Sequence, residues 1–164
     1  CALFDSQLAW LANTGMNFIS SGEDAERYGN GHPNIVPYDV YPCEDQYLAL
    51  AVGNDAQFAR FCEFAGAAEL ALDPRYAQNN QRVANRDELT ETLKALTRSK
   101  PLQVWLDGLT ALGVPCGPVN TVKQAFNDPQ TKHRGMRIRM SHPQAVEQQV
   151  DLIGNPLKLS GTPV

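Results

Sequence analysis

The opening stretch of the chain places Phe4, Leu8, Leu11, Gly15 and Phe18 near helical spacing, and Leu3, Trp10 and Ile19 add apolar side chains on the other faces. This pattern predicts a helix over residues 1–22 stopped by Gly22, and a helix apolar on most sides needs cover on most sides. Residues 23–36 change to charges, glycine, asparagine and proline, with Gly29-Asn30-Gly31-His32-Pro33-Asn34 at their centre, and read as a linker or loop.

Two strand-like runs follow. Tyr38, Val40 and Pro42 alternate with Asp39 and Tyr41, and after Cys43-Glu44-Asp45-Gln46 residues 47–52 are apolar up to Gly53, which predicts an antiparallel hairpin. Asn54 or Asp55 can cap a helix with Phe58, Phe61, Cys62 and Ala65 on its inner face. Asn85-Arg86-Asp87-Glu88 has the capping-box layout with asparagine leading, ahead of Leu89, Leu93 and Leu96. Ser99 and Pro101 open a helix with Trp105, Leu106, Leu109 and Leu112 inside and Gly113 at its end. Thr121 with Gln124 is a further start signal, and Asp128-Pro129 begins a short helix that Gly135 ends. Met136, Ile138 and Met140 alternate with Arg137 and Arg139, a half-buried strand with a basic outer face, and a return strand around residues 150–152 follows the His142-Pro143 turn. Separate clusters of strands and helices predict an α+β unit with an antiparallel sheet and several helices.

Composition narrows the function classes. The 164 residues, 43% apolar and 20% charged, suit a soluble globular fold with a real core. A net charge of -4 offers no electrostatic case for nucleic acid or an anionic membrane, and no run approaches the roughly 18 apolar residues of a membrane span. No basic start or cleavage site of a signal peptide is evident, so the expected compartment is cytoplasmic. Cys1, Cys43, Cys62 and Cys116 form no C-x-x-C pair, and with His32, His133 and His142 they lack zinc-site spacing; reduced or buried thiols and no metal are expected. The absence of an initial methionine and the ending Ser160-Gly161-Thr162-Pro163-Val164 predict an internal fragment of a longer polypeptide.

Chemistry by spacing alone is sparse. Gly29-Asn30-Gly31-His32 would let backbone amides approach a ligand, yet it neither follows a strand nor opens a helix, so the nucleotide-loop motifs do not apply and a mobile linker is the plain reading. Cys116, between Pro115 and Gly117, lacks a local thiolate-stabilising neighbour and reads as part of a rigid connector. The carboxylates show no close pairing for acid–base work, so no catalytic residue is assigned in this chain.

An ordered series of segments nevertheless resembles one family. Val36-Pro37-Tyr38-Asp39-Val40-Tyr41, residues 47–55 and Gln57-Phe58 are followed by Asp73-Pro74-Arg75-Tyr76, Asn79, residues 82–89 and Trp105-Leu106. Then come residues 113–121, Asp128-Pro129-Gln130, Arg134-Gly135-Met136, His142-Pro143 and residues 154–163. Together they resemble the class III CoA-transferases, a family of formyl-CoA, carnitine-CoA and succinyl-CoA transferases that also contains 2-methylacyl-CoA racemases. The likeness covers essentially the whole chain.

The resemblance implies a fold and an activity. Residues 1–22 correspond to a helix of a large α/β domain, 23–36 to a linker, 37–141 to a small α+β domain and 142–164 to the return toward the large domain, in an interlocked homodimer. The family moves CoA between carboxylic acids: an aspartate attacks the donor thioester to give a mixed anhydride, CoA thiolate converts it to an enzyme thioester, and the acceptor acid takes the CoA. Coenzyme A is then a substrate beside an acyl-CoA and a carboxylic acid, with no permanently bound cofactor. That aspartate lies upstream of the segment matching Cys1. Gly29, Asn30, Gly31 and His32 match the family's glycine-rich substrate loop, which closes over the acyl group; the glycine run is reduced, and His32 stands where glutamine is common. These departures resemble the succinyl/dicarboxyl and racemase branches; in the racemase branch alone Asp55 matches an acidic residue near the acyl site, while N-capping is its plain reading. Asp45-Gln46 also departs from the usual Asp-Gly turn. Three readings therefore stand: a transferase or racemase as the parent protein, a non-catalytic dimerisation and lid module as the fragment, and a free-standing binding domain.

Overall fold

The computed structural model describes residues 2–162; Cys1, expected as a reduced thiol, and Pro163, the end of the late family segment, lie outside the described residues together with Val164. The fold is α+β, with eight α-helices and two antiparallel sheets among the described residues. It forms two compact units that divide after Val119.

The first unit opens with α1 (Leu3–Ala9) and α2 (Ala12–Ser21) rather than with one continuous helix. The break falls at Trp10 and Leu11, with Ala12 at φ 44°, and Gly22 closes α2 at φ 76°. No side chain of either helix is buried. After the loop, β1 (Tyr38–Pro42) pairs with β2 (Tyr47–Ala51), Val40 opposite Ala49, and β3 (Cys116–Pro118) adds to the other side of β2. The third strand lies inside the segment expected to be a connector. The inward sheet face carries Tyr41, Leu48 and Leu50, each at most 1% exposed, while Val40, Ala49, Ala51 and Gly117 lie on the opposite face.

Helices α3 (Asp55–Ala65), α4 (Asn79–Ala84), α5 (Arg86–Thr97) and α6 (Leu102–Ala111) cover the inner sheet face and bury Phe58, Phe61, Cys62, Leu89, Leu93, Leu109 and Trp105. The caps explain where these helices start. Asn54 Oδ1 accepts from Gln57 N at 2.9 Å, satisfying one orphan N–H of α3. The hairpin turn supplies another cap across the fold, Asp45 Oδ1 accepting from Leu102 N at 2.8 Å at the start of α6. The capping box expected at Asn85 does not form: its amide instead donates to the Gln81 and Arg75 carbonyls, tying α5 to the preceding turn. At the core's centre, Trp105 Nε1 donates to Thr97 O at 2.9 Å, and its ring meets Phe64 edge-on at 5.5 Å.

The second unit contains α7 (Val122–Asn127), α8 (Pro129–His133) and the hairpin β4 (Arg137–Ser141) with β5 (Gln149–Ile153). Thr121 and Gln124 form the reciprocal capping box of α7, and Asp128 caps α8 by accepting from Gln130 N. The strand expected to be half-buried is exposed at every position of β4, because the hairpin stands as a two-stranded sheet, with the segment 154–160 bordering the side that carries Ile138, Met140 and Leu152. Asp151 bridges Arg137 and Arg139 on the polar side, and these hydrogen bonds hold its carboxyl well below the usual carboxylate range.

Candidate functional site

The site is built from the loop before β1. Gly29 takes φ 63°, a left-handed conformation that glycine adopts without strain, and Gly31 N donates back to Tyr28 O at 3.0 Å, closing a tight tip. A Cβ on Gly31 would lie 3.2 Å from Tyr28 O and 3.3 Å from Asp39 Oδ2, so any side chain there would press on both neighbours. His32 then enters the sheet margin: its backbone N–H donates to Tyr38 O at 2.9 Å, and its ring packs on the Tyr38 ring at 5.1 Å. His32 Nδ1 accepts from Asn34 N at 3.0 Å, which leaves Nε2 to face the Asn13 amide at 2.9 Å. Gly29, Asn30, Gly31 and His32 thus form a turn ahead of β1, tied by the Gly31–Tyr28 and His32–Tyr38 backbone bonds.

What holds the loop is a set of side chains from α4 and α5. Arg86 donates from Nη1 to His32 O at 2.9 Å and from Nη2 to Pro33 O at 2.7 Å, with its guanidinium 6.0 Å from the Tyr28 ring centroid. Asn79 accepts from Val36 N and donates to Asn34 O. Arg82, fully buried, donates to Val36 O at 2.6 Å, Tyr76 O at 2.9 Å and Asp55 Oδ1 at 2.8 Å, and stacks 4.5 Å over Phe58. Asp55 thus serves as the carboxylate partner of Arg82, while Asn54 does the capping. From the other side, Asn17 and Asn34 exchange two amide hydrogen bonds.

Beside the loop tip, the outer sheet face forms a shallow cavity of about 300 Å³ lined by Asn30, Tyr38, Asp39, Val40, Ala51 and Gly117, among others. Val40, Ala49, Ala51 and Gly117 keep its floor small and apolar, while Asp39 and Tyr38 add a carboxylate and a phenol ring to the lining. Burial pushes the Cys43 thiol up to about 11 and the Cys62 thiol up to about 12, and burial also raises Cys116 despite its contact with the Thr110 hydroxyl. All three shifts disfavour the reactive thiolate form. Among the described residues, no group of three or more His, Cys, Asp or Glu is placed to hold a metal ion, and no helix is long and apolar enough to cross a membrane.

Comparison with known proteins decides the relationship. The whole chain, residues 1–164, matches CoA-transferase family III. The chain belongs to that family. It is 39% identical over 163 residues to the succinate–glutarate CoA-transferase of Agrobacterium fabrum, covering 99% of this chain and 40% of the relative. The acetyl-CoA:oxalate CoA-transferase of Acetobacter aceti is 38% identical over 160 residues, covering 98% of this chain and 39% of the relative. Among solved structures, a CAIB/BAIF family protein from Brucella suis superposes with a TM-score of 0.79 at 42% identity, over 99% of this chain and 41% of its own. The chain thus spans about 40% of the length of these family III relatives.

The sequence offers the loop as a candidate but not the side chains that hold it. Arg82 and Arg86 were visible only as letters in the run of residues 82–89, and Asn79 as a single match. The available signal was partial: Asn79 and Arg82 are spaced i,i+3 and share a face of α4, while Arg86 opens a separate helix after the break at Asn85.

Proposed function

We propose that this chain is a segment of an enzyme that transfers CoA between carboxylic acids through an aspartyl–CoA intermediate, the aspartate lying outside the chain. The observation that carries the reading is the family match over every residue, joined by relatives named for succinate, glutarate and oxalate exchange. Those names favour a short dicarboxylic acid on at least one side of the exchange.

In this reading the aspartate carboxylate adds to the thioester carbonyl and the C–S bond breaks, leaving a mixed anhydride and CoA thiolate. The thiolate attacks the aspartyl carbonyl, expels the donor acid as its carboxylate and leaves aspartyl–CoA. The acceptor carboxylate repeats the two steps in reverse and regenerates the free aspartate. An anhydride is hydrolysed by any water that reaches it, so a loop over the acyl group protects the intermediate. Gly29, Asn30, Gly31 and His32 supply that cover, and the 300 Å³ cavity beside Asn30 takes the uncharged part of the acyl group. Residues 1–22 and 142–164 belong with the parent's larger domain, and the parent is a cytoplasmic, interlocked homodimer that uses CoA as substrate and holds no permanent cofactor.

The test incubates the full-length protein with succinyl-CoA and a panel of carboxylic acids, reading new acyl-CoA species by mass. Exchange with glutarate or oxalate is expected. Racemisation of a 2-methylacyl-CoA without exchange would replace the transferase reading by the racemase one, and neither reaction would overturn both. A second reading concerns the 164-residue chain alone, as a non-catalytic assembly and lid module. The exposed apolar side chains of α1 and α2 favour it, and the isolated chain should show no exchange in the same assay.

A further inference from the structure

We infer that Arg86 is a positioning residue for the Gly29–His32 loop: it fixes the hinge at His32 and Pro33 so that the tip, residues 28–31, moves as a unit over the acyl group. The inference rests on the transferase reading for its catalytic consequence and on geometry alone for the hinge.

The geometry divides the loop sharply. From His32 onward, backbone groups are held by α4 and α5: the His32 and Pro33 carbonyls by Arg86, the Asn34 carbonyl and Val36 N–H by Asn79, and the Val36 carbonyl by Arg82. Upstream, the tip closes on itself through Gly31 N and Tyr28 O, with Gly29 in a left-handed conformation and open space around its Cα. Arg86 sits at the junction. Its two Nη atoms reach successive carbonyls, a fork that a lysine ammonium cannot reproduce with one nitrogen. Its guanidinium also lies beside Gly31, 3.6 Å from where a Cβ would be, and 6.0 Å from the Tyr28 ring centroid, so it borders the tip as well as the carbonyls it holds. Charge-assisted bonds to neutral carbonyls are the stronger kind, and the half-buried setting limits screening by solvent.

Two readouts separate this role from general support of the fold. Arg27 precedes the tip and offers trypsin a cleavage point whose rate follows loop opening. In the full-length protein, Arg86→Lys and Arg86→Ala are expected to speed cleavage after Arg27 by about tenfold, as expected for a loop whose closing equilibrium has lost its anchor. They should also raise the share of succinyl-CoA hydrolysed relative to CoA transferred, with kcat for transfer falling more than KM changes. The melting temperature of Arg86→Lys should stay within about 2 °C of the parent, since a half-buried clamp on a loop adds little to the core. Leu93→Ala serves as the destabilised control, because Leu93 is buried in α5 away from the loop. A control that accelerates the Arg27 cut and the hydrolysis as much as the arginine variants overturns the proposal, and so do arginine variants that leave the cut unchanged. A parent protein without transfer activity sinks the functional reading instead, while the cleavage rates still decide the hinge.

Discussion

Three acceptors converge on the Arg82 guanidinium, two of them backbone carbonyls with no access to solvent through the arginine, which is itself fully buried. Replacing it by methionine keeps much of the volume and the contact with Phe58 but leaves the Val36 and Tyr76 carbonyls unmet. Each stranded acceptor costs about 1–3 kcal/mol, so Arg82→Met should lower unfolding stability by about 3 kcal/mol in urea titrations. The Asp55 end is different. Its side chain is 53% exposed, so water can replace the ion pair, and Asp55→Asn keeps an oxygen that still accepts from Arg82. That substitution should cost under about 1 kcal/mol. If Asp55→Asn proves as costly as Arg82→Met, the pair and not the carbonyl set holds this corner. Neither role was legible in the sequence, because arginine ordinarily signals surface and only the tertiary fold brings Val36 and Tyr76 to it.

Elements were legible where one periodicity ruled. Phe58, Phe61, Cys62 and Ala65 point to one face by spacing alone, and all four are buried on α3. β3 escaped because a three-residue strand ending in Pro118 shows no alternation, and its existence depends on β2 offering an open edge. The inward face of β1 escaped for a related reason: Tyr41 carries its hydroxyl into the core, where burial holds the phenol well above its usual range, and alternation alone cannot rank tyrosine above Val40. Packing between α3 and α6 shows how context reverses a propensity. Gly108 sits inside α6, where alanine ordinarily adds about 1 kcal/mol. Here a Cβ would fall 2.0 Å from Phe64 Cζ, so the ring must leave Gly108 and its edge contact with Trp105. Overpacking of this kind costs about 1–3 kcal/mol and wins, so Gly108→Ala should be net destabilising by about 1 kcal/mol. Thermal melts of Gly108→Ala and of Gly108→Ala with Phe64→Ala check the cause: alanine at 108 should become neutral or stabilising once the ring is gone.

For the molecule as a whole, the core and the apolar surface lie in different segments. The buried cluster runs from Val36 to Val114, and neither α1 nor α2 contributes to it. Those two helices and the break between them instead expose Leu3 at 90%, Phe4 at 72%, Trp10 at 80% and Ile19 at 73%, alongside Leu8, Leu11 and Phe18. The sequence already indicated a helical segment needing cover on most faces, because that need follows from composition around the helix; what covers it is a property of another surface and leaves no mark in these residues. Contiguous apolar exposure of this extent drives association in water. Removing residues 1–22 from the isolated chain should therefore change assembly far more than stability: about 25 cal/mol per Å² is lost only for surface that was buried, and these side chains bury little. The expected result is a shift toward monomer by sedimentation velocity with a melting temperature within about 3 °C of the 164-residue chain, a small change because the core is untouched. The amide ladder from Asn13 to His32 and from Asn17 to Asn34 goes with the deletion, so amide exchange should quicken at residues 28–34 while Leu89 and Leu93 stay protected. A large fall in melting temperature would mean that α1 and α2 are part of the folding unit after all, and an unchanged oligomer would place the associating surface elsewhere on the chain.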